Sequence, residues 1–304
     1  MKEIESTAIV GMGALGLLFG SEIAAGLGTE AICFVADAQR VARYQSQTFT
    51  INDAFHRFRM CDCESARPAD LLIIAVKYGA LEEALDTMAC CIGPETIVIS
   101  VLNGISSEEI ITRRYPDACV LYAVAQGMDA MKFGPALHYS NPGQLLLGVR
   151  TPDQMPQLAA LTRFFDRAGV PYSVPEDILR AMWGKFLLNV GVNQTCMAFE
   201  TNYGGVLRPG KARETMLAAM HEVKVLGCAI GVELTDADVD RYDQMLTTLS
   251  PEGVPSMRQD GMSNRPTEVE MFAGTVRNMC RQHGLSCPTN DFLYARIREM
   301  EASY

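Results

Sequence analysis

Residues 7–16, TAIVGMGALG, set the strongest limit on what this chain can become. A short apolar run meets Gly11, Gly13 and Gly16 at GxGxxG spacing, and LLFGSEIAAG follows with a helical pattern ending near Gly26. In a strand, turn and helix of this kind the first glycine permits a tight turn, the second lets the backbone approach a phosphate, and the third lets the helix pack closely. The helix N-terminus then presents its unpaired N–H groups to the anion. The spacing alone is weak. With a strand before it and a helix after it, it predicts a dinucleotide-binding unit rather than a structural turn, its loop formed by Gly11, Met12, Gly13, Ala14, Leu15 and Gly16.

Further apolar runs follow at AICFV (31–35), LLIIAV (71–76) and TIVISVL (96–102), with helical stretches between them. Continuous apolar strands alternating with helices predict a parallel sheet covered on both faces. The second strand runs into Ala36 and Asp37, where a carboxylate about 20 residues beyond the glycines is placed to bind ribose hydroxyls, a hint of NAD. Arg40 and Arg43 stand close by and would instead meet a 2′-phosphate; all three also read as solvated surface charges. Lys77 and Asn103-Gly104 end two more strands, on the side where open α/β sheets bind ligands. Their plainer readings are a solvated lysine opening a helix and an ordinary Asn-Gly turn.

Residues 117–175 read as further strands, including LHYSNPGQLLLGV as a hairpin, and one helix from Gln154 to Ala168. From Glu176 onward the pattern is helical. The expected fold class is α/β, an N-terminal Rossmann-like parallel-sheet domain over 1–176 followed by an all-helical C-terminal domain over 177–304, packed directly with no low-complexity linker. Within the helical part, MWGKFLLNVGVNQTCMAF (182–199) holds a single formal charge, Lys185. A buried unpaired charge costs several kcal/mol or shifts its pKa, so this lysine either snorkels outward or serves chemistry. Lys185, Asn189 and Asn193 recur at i, i+4 and i+8 and share one helix face. Two amides there would bridge helices in a structural role, or line a substrate face beside the lysine. Farther on, Asn264 to Pro266 are expected to start a helix that ends at His283-Gly284. Glu268 then lies in its first turn, where it favours the helix dipole, pairs with Lys185, or binds a cofactor hydroxyl.

A net charge of −10 with no lysine or arginine run argues against nucleic acid as a partner. The ten cysteines are scattered, without CxxC pairs or metal-ligand spacing, which fits reduced thiols in a cytoplasmic protein and no metal. Glu3, Glu5 and Glu22 flank or interrupt the N-terminal apolar stretch and argue against a membrane span. His56, His138, His221 and His283 fall in no triad or ligand spacing.

Taken in order, GMGALG, AVK (75–77), LNG (102–104), WGKFLLNVGVNQ (183–194), SMRQD (256–260) and PTEVE (266–270) resemble the ketopantoate reductase family over nearly the whole chain. The resemblance implies reduction of a 2-oxo acid, ketopantoate, with NADPH on the way to pantothenate and coenzyme A. It implies that Lys185 gives a proton to the carbonyl oxygen, that Asn189 and Asn193 bind substrate, and that Ser256 holds the carboxylate end. By the same resemblance Asn103 meets cofactor and substrate, Lys77 lines the cofactor site, and the catalytic Glu268 binds cofactor beside Lys185. Better-known members often carry an arginine where this chain has Ala36 and Asp37, so NADH stays open. Gly253 and Tyr203 stand where some members have polar residues, which leaves other 2-oxo acids open. A related dehydrogenase of another hydroxy acid, a secondary amine or a sugar acid shares this plan, and a non-catalytic dinucleotide sensor is the reading from a different class. A homodimer is compatible with the sequence.

Overall fold

The computed structural model describes residues 3–304, which divide into two compact units. The first takes the described residues up to Asn103 together with Ser107–Ile178; the second takes Gly104–Ser106 and Leu179–Tyr304.

The first unit begins with β1 (Thr7–Val10), α1 (Ala14–Leu27), β2 (Ile32–Val35) and α2 (Ala38–Gln45). Three short strands follow, β3 (Phe49–Ile51), β4 (Ala54–His56) and β5 (Met60–Cys61), and then β6 (Leu71–Ile74), α3 (Leu81–Met88), β7 (Ile97–Ser100) and α4 (Ser107–Arg114). The rest comprises β8 (Cys119–Gln126), β9 (Met131–Phe133), β10 (Ala136–His138), β11 (Gln144–Gly148), α5 (Met155–Ala168) and β12 (Tyr172–Ser173). Eight strands form one sheet in the order β12-β11-β8-β7-β6-β1-β2-β5. It is parallel from β5 through β8, as the unbroken apolar runs require, while β11 adds antiparallel to β8. Alternate residues of each strand supply two cores. Ile9, Ile73 and Ile99 meet Leu17, Leu18, Leu161 and Phe165 from α1 and α5. Val10, Leu72 and Val98 meet Leu81, Leu85 and Ile111 from α3 and α4.

The expected hairpin over LHYSNPGQLLLGV does not form. β10 pairs with β3 and β9 in a separate four-stranded sheet, whereas β11 pairs with β8 and β12. Side chains fix the intervening loop: Asp129 accepts from the N–H groups of Ser140 and Asn141, and Asn52 accepts from that of Tyr139. Local alternation could not show that Leu137 belongs beside Ile51, far away in sequence.

The second unit is helical: α6 (Ile178–Ala198), α7 (Tyr203–Leu207), α8 (Lys211–Ala229), α9 (Asp236–Leu246), α10 (Ser256–Met262), a π-helical turn at Glu270–Gly274, α11 (Thr275–Gln282) and α12 (Pro288–Glu301). α6 runs through its middle. A Cβ on Gly184 would lie 2.4 Å from the Tyr242 hydroxyl of α9, and one on Gly191 would lie 2.4 Å from Met220 Cγ of α8. The helix expected from Asn264 starts later, at Glu270. Asn264 takes a left-handed φ of +50°, and Arg265 is held away from the helical region by the proline after it. Glu268 therefore precedes the helix rather than lying in its first turn. The predicted end is observed, with His283 as C-cap and Gly284 at φ +67°.

Among the described residues no helix is long and apolar enough to cross a membrane, and no group of three or more His, Cys, Asp and Glu is arranged to hold a metal ion.

Candidate functional site

In the first unit β1 is flanked by β2 and β6, so the strand order reverses beside it. Open α/β sheets bind ligands beyond the carboxyl ends of strands at such a reversal. The registers place Val10 beside Val35 and Ile74, and Ile74 beside Ser100, so Gly11, Asp37, Lys77 and Asn103 all follow strands that end on this side.

The glycines of the turn have separable reasons. Gly11 adopts φ +109°, and a Cβ there would lie 2.5 Å from the Ala75 carbonyl oxygen. A Cβ on Gly16 would lie 2.0 Å from the Gly11 carbonyl oxygen, so only glycine lets α1 press onto the turn. At Gly13 a Cβ meets nothing nearer than 3.7 Å and φ is an ordinary −74°, so the protein's own packing does not demand glycine there. Gly13 also caps α1 without a side-chain hydrogen bond, and the first turn holds no acidic residue. A bare helix N-terminus behind a loop of Met12, Gly13, Ala14 and Leu15 suits a pyrophosphate. Gly16→Ala is expected to destabilise the protein by about 1–3 kcal/mol, as overpacking does, and to weaken dinucleotide binding. Chemical denaturation with a nucleotide titration checks this, and an unchanged midpoint would contradict it.

Asp37 is the N-cap of α2, accepting from the Arg40 N–H at 2.8 Å. Its second oxygen lies 3.1 Å from Arg40 Nη1, which also donates to Glu83 Oε1 at 2.7 Å. The N–H bond holds the Asp37 carboxyl below its ordinary pKa, so it is ionised. Arg43 stacks on the Tyr44 ring, 4.5 Å from its centroid, and donates to the Tyr44 hydroxyl at 2.7 Å. Lys77 is exposed at the N-cap of a short turn over Tyr78–Ala80, and Asn103 is half-buried.

In the second unit, Lys185, Asn189 and Asn193 follow one another along α6, with the two amides only 9 % and 7 % exposed. Trp183 and Phe186 flank the lysine on the helix and meet edge to face at 5.8 Å. Lys185 keeps some accessible surface, yet its ammonium is enclosed enough for burial to pull it down to about 8. Glu268 lies close enough to oppose that shift electrostatically. Lysine and carboxylate are thus brought together although they lie 83 positions apart in the sequence. Ser256 is exposed at the first position of α10. That helix packs on the end of α6, where a Cβ on Gly261 would lie 2.4 Å from Met197 Sδ, one turn beyond Asn193.

Sequence reasoning missed what holds Glu268. Gln194 accepts from the Ala273 N–H at 2.9 Å and donates to the Val190 carbonyl and to Asn290, tying α6 to the π-helical turn. Thr267 donates its N–H and its hydroxyl to Glu301, at 2.7 and 2.6 Å. The only signal was a third amide, Gln194, adjacent to Asn193 in an apolar helix.

Residues 7–150 match the family model described as Ketopantoate reductase PanE/ApbA, and residues 177–301 match Ketopantoate reductase PanE/ApbA C terminal. The chain is 25% identical over 240 residues to the 2-dehydropantoate 2-reductase of Streptococcus pyogenes serotype M6, covering 79% of this chain and 78% of that one. A structure of D-mandelate dehydrogenase with NADH and anilino(oxo)acetate superposes with a TM-score of 0.86 at 20% identity, over 98% of this chain and 99% of the other. The dimeric ketopantoate reductase from Staphylococcus aureus gives 0.81 at 22% identity, over 98% and 99%. The fold and these matches define an oxidoreductase acting on a CH–OH group. Across both of its units, the chain belongs to the ketopantoate reductase family.

Proposed function

We propose that the chain reduces the keto group of a 2-oxo acid with NAD(P)H, and that ketopantoate is its substrate in the pantothenate and coenzyme A pathway. The observation that carries this is the enclosed Lys185 on one helix face with Asn189 and Asn193, and with Glu268 beside it. A dinucleotide sensor has no use for such a group.

Residues 1–176 form the cofactor domain in this reading, and residues 177–304 the substrate and catalytic domain. When bound, the nicotinamide supplies a hydride to the carbonyl carbon. Lys185 Nζ gives its proton to the carbonyl oxygen as negative charge develops there, yielding the alcohol. Glu268 keeps that proton on the lysine until it is needed. Asn189 and Asn193 orient the oxo acid by hydrogen bonds, and the Ser256 hydroxyl donates to its carboxylate. By the resemblance, the Gly11–Gly16 loop and the α1 N-terminus of the first unit would hold the pyrophosphate, Lys77 would line the cofactor site, and Asn103 would contact the cofactor and lie near the reacting carbon. Glu268 accepts from a cofactor hydroxyl as well. The resemblance favours NADPH; Asp37 favours NADH. We further propose a cytoplasmic homodimer, which the free thiols and the dimeric Staphylococcus aureus relative support.

One observation favours a second substrate. The Tyr203 ring packs over Gly253, 3.1 Å from where a Cβ would stand, and puts an aromatic surface where some family members carry polar groups. The shared fold of D-mandelate dehydrogenase makes the 2-oxo acid of mandelate the natural comparison. The test is steady-state oxidation of each reduced cofactor with either acid. Turnover with ketopantoate is the expected result. Turnover with the aryl acid alone would replace the substrate and keep the mechanism, and turnover with neither would overturn the reading.

A further inference from the structure

We propose that Asp37, Arg40 and Glu83 form a built selector for NADH against NADPH. This rests on the dinucleotide reading above and goes beyond it by naming the cofactor and a specificity residue, Glu83, that neither the motif nor the resemblance points to.

β1 and β2 lie side by side in parallel register, Val10 beside Val35. The chain leaves β1 into the glycine turn and leaves β2 into Ala36 and Asp37, so a dinucleotide whose pyrophosphate rests on the turn brings its adenosine ribose toward Asp37. The ribose of NADH offers two hydroxyl donors there, and a carboxylate is an acceptor only. The ribose of NADPH offers a 2′-phosphate, which repels it.

An arginine nearby ordinarily reverses this preference, and two are present. Neither is disposed to do so. Arg40 is shared between two carboxylates: Asp37, which also accepts the Arg40 backbone N–H, and Glu83 on α3 at 2.7 Å. Two carboxylates around one guanidinium leave the cluster with a net negative charge. Arg43 sits over the Tyr44 ring and donates to its hydroxyl. Lys77 follows β6, on the far side of β1 from β2, and so away from the strand that ends at Asp37.

Glu83 is the informative member. It is exposed and contributes nothing to the core, yet it occupies the guanidinium that a 2′-phosphate would need. Asp37 preorganises the acceptor, because the N-cap bond fixes the carboxylate before any ligand arrives.

The experiment is equilibrium titration of the whole protein with NADH and with NADPH, followed by nucleotide fluorescence without any oxo acid, so that binding is read apart from turnover. NADH is expected to bind at least about tenfold more tightly than NADPH. In Asp37→Ser, which keeps an oxygen cap for the Arg40 N–H, NADH binding weakens and NADPH binding strengthens. In Glu83→Gln, NADPH binding strengthens while NADH binding is kept, which also shows that the variant is folded. NADPH binding as tight as NADH binding in the unmodified protein, or a ratio unmoved by both substitutions, overturns the selector. Binding of neither nucleotide overturns the dinucleotide reading itself and the selector with it.

Discussion

Lys185→Ala is expected to lower kcat by about a hundredfold to ten-thousandfold, the range that a positioned general acid contributes, while KM for the oxo acid changes far less. The argument begins with burial. An exposed lysine at its ordinary pKa of about 10.4 is a poor acid at neutral pH. Enclosure on α6 brings Lys185 to about 8, where it is still protonated at pH 7 but gives up its proton more readily. Activity therefore falls as pH rises through about 8, since the acid must carry its proton. Glu268 raises the lysine's affinity for that proton, so in Glu268→Gln the same limb moves to lower pH. A pH profile of kcat for the three proteins is the measurement. Unchanged kcat with raised KM in Lys185→Ala would make the lysine a binding residue only. A limb at the same pH in Glu268→Gln would remove the carboxylate from the mechanism.

How much of this could be read without coordinates depends on how local each constraint is. The glycine turn was legible because its reasons are local: Gly11 needs its positive φ, and Gly16 meets its own turn. The stripe of Lys185, Asn189 and Asn193 was legible because helical periodicity determines it. The four-stranded sheet was not, since β3 reaches β10 across more than eighty residues and short alternating runs do not name their partners. The start of the last segment was misread because Asn264-Arg265-Pro266 carries helix-opening residues, while the left-handed Asn264 and the Thr267–Glu301 bonds keep the chain open until Glu270. Asp37 and Arg40 were both visible as candidates. Glu83, which engages Arg40, lies on another helix and belongs to no local pattern.

Glu108 gives the second large effect, in stability rather than catalysis. It lies in the first turn of α4, 3 % exposed, accepting from the Ser107 hydroxyl at 3.0 Å. Burial pushes its carboxyl up to about 7, although its own backbone N–H, Ser107 and then Arg150 favour the charged form. Arg150 is drawn elsewhere, donating to Thr112, and its Nε is buried without a hydrogen-bond partner among the described residues. Unfolded, the same carboxyl titrates near 4.5. The folded state thus holds the proton more tightly, so Glu108 contributes its full stability below about pH 4.5 and loses it as pH rises through about 7. A rise of this size corresponds to about 3 kcal/mol at 1.36 kcal/mol per pKa unit. Glutamine copies the shape of the protonated acid and cannot ionise. Glu108→Gln should therefore match the unmodified protein near pH 4.5 and exceed its stability by about 3 kcal/mol above pH 8. Urea denaturation of both proteins across that range is the check, because other titrating groups cancel in the difference. Parallel stability curves would mean that the carboxylate is already ionised and compensated in the folded state, with Arg150 as its counter-ion.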